Sequence, residues 1–124
     1  MPIVDLGSGN FESTVYASGL TLIDCWASWC GACKTFEPVY RQAAERHPEH
    51  TFGKLDTQKE KDLVKELGIE NIPSLLIFRD GILLFRQPGY YSETELEDIV
   101  RQAESLDMNE VRAHIESENQ KDEG

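Results

Sequence analysis

Two of the chain's three cysteines stand three residues apart, Cys30 and Cys33 in the stretch WASWCGACKTFEP (26–38). Thiols at that spacing can close into a disulfide and reopen by exchange with another disulfide. They can also form half of a zinc site, or be neighbours without chemistry. Zinc needs two more ligands. A second Cys-x-x-Cys is absent from the sequence, and His47, His50 and His114 have no ligand spacing, so no metal is expected. The place of the pair favours redox chemistry over a bland structural role, because an apolar run ends just before it and a helical pattern starts inside it.

A helix beginning near Gly31 puts Cys30 just ahead of its first turn and Cys33 one turn in, on the same side. The free N–H groups and positive dipole end then favour a thiolate at Cys30, and the thiolate is the form that attacks a disulfide. A thiol of pKa about 8.5 needs roughly 2 kcal/mol to reach the neutral range. A helix end supplies about 0.3–1 kcal/mol, and ~2 at best. The dipole is marginal alone, and a hydrogen bond from the Cys33 thiol to the Cys30 sulfur is the expected supplement. Cys30 then attacks a substrate disulfide, and Cys33 attacks Cys30 to release the reduced product. Cys33 must first lose a proton. Asp24, the lone acid in an apolar strand, is the candidate base, with burial raising its pKa; the other reading is an acid satisfied by backbone or water. Cys25 points to the opposite sheet face and reads as a core thiol, with a redox or regulatory role as the alternative.

The elements that must position these groups alternate along the chain. Pro2–Leu6 reads as a short strand and Phe11–Ala17 as a short helix capped by Asn10. Leu20–Ala27 reads as a central strand covered on both faces. A helix runs from about Gly31 to Arg46, kinked by Pro38, then a strand over Thr51–Leu55 and a helix over Lys59–Leu67 stopped by Gly68. Ser74–Gln87 is a hairpin about Asp80-Gly81. Ser92-Glu93-Thr94-Glu95 is a capping box ahead of the last helix of the domain. A second box, Asp107 with Glu110, opens a short amphipathic stretch, and the end, ESENQKDEG, reads as disordered. This order predicts an α/β domain with early parallel strands, a late antiparallel edge, and helices on both faces of a central sheet.

Composition narrows the partners. A chain of 124 residues, 40% hydrophobic, makes one domain with one core. A formal net charge of −11 disfavours nucleic acid and anionic membrane as partners. The absence of a basic n-region, an apolar h-region or a membrane-length apolar run points to the cytoplasm.

The segment DCWASWCGACKTFEP resembles the active-site segment of the thioredoxins, matching at Asp24, Trp26, Ala27, Trp29, Cys30, Gly31, Cys33, Lys34 and Pro38. GIENIPSLLIFRDG resembles that family's Ile-Pro-Thr segment and hairpin, and Gly89 fits its glycine before the last helix. The resemblance covers residues 2 to 106, leaving 107–124 as an extension that either caps the fold or docks a partner. It implies the thioredoxin fold, a mixed five-stranded sheet flanked by helices, here with a C-terminal helical extension. It also implies a protein thiol-disulfide oxidoreductase working through a Cys30–Cys33 disulfide.

By the same resemblance Cys30 is the nucleophile, Cys33 the resolving thiol and Asp24 the buried acid, with Lys54 near Asp24 and tuning it. Pro73 is cis and faces the cysteines, leaving the Ile72 backbone free to pair with an extended substrate. Trp29, Gly31, Ala32, Ile72 and Gly89 form an apolar patch around an exposed Cys30 sulfur; plain surface packing is the other reading of Trp29. Trp26 shields the site. The implied partners are disulfide-bearing clients and a reductase that owns NADPH and FAD, this chain holding no cofactor and acting as a monomer. Ala32 departs from the family's usual proline and leaves the redox potential open. Ser74 replaces a threonine, and Cys25 an apolar residue. The rival readings are a binding or chaperone module on the same fold, and an oxidase or isomerase.

Overall fold

The computed structural model describes residues 3–123, with side chains up to Asn119. The elements run β1 (Ile3–Asp5), α1 (Phe11–Val15), β2 (Leu20–Trp26), α2 (Gly31–Arg46), β3 (Thr51–Asp56), α3 (Lys61–Leu67), β4 (Ser74–Arg79), β5 (Ile82–Pro88), α4 (Glu93–Ser105) and α5 (Met108–Glu123). Pro2, expected to open β1, lies outside the described residues. The strands form one mixed sheet of order β1-β3-β2-β4-β5. β1, β3 and β2 run parallel, while β4 is antiparallel to β2 and β5 to β4. This is the expected architecture, with β2 at the centre.

Alternation along β2 divides the core. Leu20 and Leu22 pack with Phe36, Tyr40, Ala43 and Ala44 of α2 and Leu96, Val100 and Ala103 of α4. Ile23 and Cys25 pack on the other face with Phe11 and Val15 of α1 and Leu63 of α3. Asp24 therefore sits on the α2 face, in register with Lys54 of β3 and Leu75 of β4. Tyr40 fixes α2 to the sheet, its hydroxyl lying 2.7 Å from the Gly53 carbonyl and 2.9 Å from that of Leu22.

Several local signals act as their chemistry dictates. Asp80 and Gly81 take φ of 53° and 83°, the left-handed pair that a two-residue hairpin turn needs. Gly68 ends α3 at φ 69°. Ser92 and Glu95 form a reciprocal capping box on α4. At the outer edge, β5 carries a register shift opposite Ile77/Phe78, exposes Arg86 and Gln87, and ends in Pro88.

Three expectations change. α1 is shorter than the apolar pattern indicates, and the Asn10 side chain does not cap it. Its Oδ1 instead accepts from the Gly7 amide at 2.8 Å and its Nδ2 donates to the Asp5 carbonyl at 3.0 Å, closing the turn after β1. α3 begins at Lys61 rather than Lys59, because the Lys59 and Glu60 amides donate to Asp56 in a turn. The end of the chain is helical to Glu123 rather than disordered. Low apolar content correctly signals that it buries little, but Glu, Ala, Gln and Lys are also good helix formers, and the Asp107 carboxylate caps the first turn by accepting from the Asn109 amide at 2.9 Å.

Candidate active site

The cysteine pair is built by the junction of β2 and α2. After Trp26 the chain turns, and the Cys30 amide donates to the Ala27 carbonyl at 3.2 Å. Cys30 keeps an extended backbone (φ −90°, ψ 111°) as the N-cap of α2, and its Sγ accepts from the Cys33 amide at 3.2 Å. That is the position at which a capping side chain meets the N3 amide, here with sulfur in place of oxygen. Cys30 and Cys33 are joined as a disulfide, their Cα atoms 5.3 Å apart.

One expectation is corrected here: Cys30 keeps only 5% of its surface exposed, rather than presenting an exposed sulfur. In the disulfide the donor to the Cys30 sulfur is the Cys33 backbone amide. Both cysteines lie in a buried cluster with Ala27, against which Trp26, Ala32 and Ile72 pack.

Asp24 is 1% exposed, and neither of its carboxylate oxygens has a hydrogen-bond partner among the described residues. Burial pushes its pKa up to about 7; Lys54 pulls the other way and Glu37 adds to the rise. The Lys54 ammonium lies 4.6 Å from the centroid of the Trp26 ring, a cation–π contact that holds it beside the strand pair. Trp26, Ala27, Ser28, Cys33, Lys34, Glu37 and Lys54 line a cleft of about 240 Å³. The cleft joins Cys33 to the two charged residues that act on Asp24.

Sequence reasoning missed Glu37. It pairs with Arg41 at 2.6 Å one helical turn on, so by pattern it is an ordinary surface ion pair. Only its standing four residues after Cys33, on the same stripe of α2, could have marked it.

Ile72 packs against the cysteine cluster, and the Ile72-Pro73 bond is cis. The Gly89 amide donates to the Pro73 carbonyl at 2.7 Å, bringing Gly89 to the same place. Gly89 has φ of 107° with open space where a Cβ would stand, so backbone conformation rather than crowding calls for glycine. Ile72 and Ala32 are half-buried, Gly31 is exposed, and Trp29 is 69% exposed. Ser74 donates its hydroxyl to the Asn71 carbonyl, tightening the turn before Pro73. Cys25 is fully buried among Ile23, Leu55 and Leu76, and burial pushes its thiol pKa well above the usual range.

The arrangement matches known proteins. A sequence model of the thioredoxin family, described as Thioredoxin, matches residues 2–102. The chain is 46% identical over 112 residues to a putative thioredoxin 2 of Streptomyces coelicolor, covering 90% of this chain and 84% of that one. It is 32% identical over 93 residues to a thioredoxin of Alicyclobacillus acidocaldarius, covering 74% and 89%. Among solved structures, a mutant thioredoxin from Halobacterium salinarum superposes with a TM-score of 0.78 at 25% identity, covering 85% of this chain and 93% of that chain.

Proposed function

The chain belongs to the thioredoxin family and is a protein thiol-disulfide oxidoreductase, and from that premise we propose how its residues divide the work and in which direction it runs. The protein reduces client disulfides. In the dithiol form the Cys33 amide that now faces the Cys30 sulfur stabilises a thiolate there, together with the α2 dipole. That thiolate attacks one sulfur of the client disulfide, forming a mixed disulfide while the other client sulfur leaves as thiolate. Cys33 gives up its proton, attacks Cys30 and closes the internal disulfide, releasing the second client thiolate. The client gains two electrons and this chain loses two.

Asp24 serves as the acceptor for the Cys33 proton. Its pKa of about 7 suits it to take and return a proton near neutrality, and the cleft shared by Cys33, Glu37 and Lys54 gives the transfer a route through water. Lys54 positions and tunes Asp24. Trp29, Gly31 and Ala32 on one side and Ile72, Pro73 and Gly89 on the other receive the client, which pairs as an extended segment with the Ile72 backbone.

The oxidised chain is returned to the dithiol by a thioredoxin reductase, which supplies two electrons by the same exchange. The setting is the cytoplasm and the working form a monomer. No helix among the described residues is long and apolar enough to cross a membrane, and a net charge of −11 keeps copies apart.

The observation that carries this reading is the Cys30–Cys33 disulfide at a helix N-cap, with the resolving residue's own amide on the nucleophile's sulfur. Insulin-disulfide reduction driven by dithiothreitol tests it: wild type accelerates precipitation and Cys30→Ser does not. Equal rates for the two would defeat the assignment. Cys33→Ser should accumulate clients as mixed disulfides on Cys30, visible as adducts on non-reducing gels.

A further inference from the structure

At the far end of α2 from the redox pair, roughly 24 Å along a helix of this length, two histidines and two glutamates converge. His47 follows the last residue of α2, Pro48 and Glu49 form a tight turn, His50 precedes β3, and Glu104 comes from the last turn of α4. One donor atom from each of His47, Glu49, His50 and Glu104 lies within 4.8 Å of all the others. We propose that these four side chains form a binding site for a divalent first-row transition metal of the zinc type, separate from the redox centre.

Three features of the cluster support the assignment. The Glu49 carboxylate lies 3.6 Å from His47 Nδ1 and 3.7 Å from His50 Nε2, within reach of both. Glu104 meets the same His50 Nε2 at 2.7 Å. His47 turns its other nitrogen, Nε2, to Glu97 at 2.7 Å, and Glu97 is held in turn by Arg46 Nε at 2.7 Å. A carboxylate on the far nitrogen of a ligating imidazole is the arrangement that fixes ring orientation and raises its basicity toward a metal.

The donor chemistry selects the ion. Two imidazole nitrogens with two carboxylates suit zinc, cobalt, nickel or copper, whereas magnesium and calcium prefer an all-oxygen set. Tetrahedral zinc with bonds near 2.0–2.2 Å sets its ligands about 3.4 Å apart. The contacts of 2.7, 3.6 and 3.7 Å already present lie on both sides of that distance, and the Glu49 and Glu104 side chains, 57% and 38% exposed, have room to adjust. The ion would clip the end of α2, the turn beyond it and α4 together. His47 and His50 offer the metal neutral imidazole, so binding displaces any proton on the ligating nitrogen.

The test uses the full chain in its disulfide form, so that Cys30 and Cys33 cannot bind metal. After treatment with a chelator, zinc chloride is titrated calorimetrically. We expect one saturable equivalent, at least a hundredfold weaker binding in H47Q/H50Q, and a loss of about tenfold in Glu97→Gln, which touches only the outer carboxylate. Cobalt(II) should give the intense visible bands of a tetrahedral site in wild type, lost in Glu104→Gln. Excess magnesium should not displace zinc. Insulin reduction in chelator should be the same for H47Q/H50Q and wild type, so failure here is separable from failure of the redox assignment. No saturable binding, unchanged binding in the double variant (which assigns zinc to the general acidic surface), or displacement by magnesium overturns the site.

Discussion

Burial of Asp24 makes stability depend on pH through a single residue. Its ordinary pKa is 3.8 and burial raises it to about 7. The folded chain therefore holds this proton to higher pH than the unfolded chain does. Stability from this group is complete below about pH 4 and falls as pH rises through 7, a loss of about 4 kcal/mol in all. Asp24→Asn keeps the shape and removes the ionisation. Urea unfolding should show it more stable than wild type by roughly 2–4 kcal/mol at pH 8, with the two curves converging near pH 4. The same substitution should slow release of client from the mixed disulfide and abolish its pH dependence near 7, read by stopped-flow exchange. A wild-type stability flat from pH 4 to 8 would deny the buried acid. At this scale the sequence shows the residue type and the strand that buries it. The missing hydrogen-bond partners and the approach of Glu37 depend on side chains meeting across α2 and the sheet, which no local pattern encodes. The His47, Glu49, His50 and Glu104 cluster is hidden for the same reason: its fourth member lies 54 residues beyond the third in the sequence.

Among the elements, α2 and α4 are specified most completely by local chemistry. The sulfur at the α2 N-cap is both a cap and half of the Cys30–Cys33 pair, so the helix that buries Phe36 and Tyr40 also places the disulfide. α4 starts with hydrogen bonds in both directions between Ser92 and Glu95, at 3.2 and 3.0 Å. Ser92→Ala removes the cap and should cost about 1 kcal/mol, lowering the melting midpoint by about 4 °C with redox activity retained. Thermal unfolding followed by circular dichroism checks this, and an unshifted midpoint would mean that α4 packing alone fixes its start. Signals such as this box, Asp80-Gly81 and Gly68 are legible because each is satisfied within a few residues. The Asn10 cap is misread because a competing local partner, the Gly7 amide, takes its carbonyl oxygen.

Over the whole molecule the sheet order makes β2 the axis, the central position that its burial on both faces indicates, within the five-stranded arrangement that the family resemblance implies. The chain beyond α4 is less determined by pattern. Met108 is only 7% exposed, whereas Ile115 is 39% exposed and most of α5 faces solvent. Arg112 pairs with Asp80 at 3.1 Å, but both are partly exposed and the pair is worth little. A chain ending at Arg112 should therefore match the full chain in stability to within about 0.5 kcal/mol. One ending at Leu106 loses the buried Met108 and should fall by about 2 kcal/mol. Guanidinium unfolding of the two truncations decides whether the extension caps the domain, and equal stabilities would remove that role. The border formed by β5 has a consequence for life at high concentration. Its shifted register, its charged and amide side chains and a terminal residue without an N–H spoil the template that a foreign strand would need to zip alongside. This side of the sheet therefore offers a poor edge for another copy of the chain to extend.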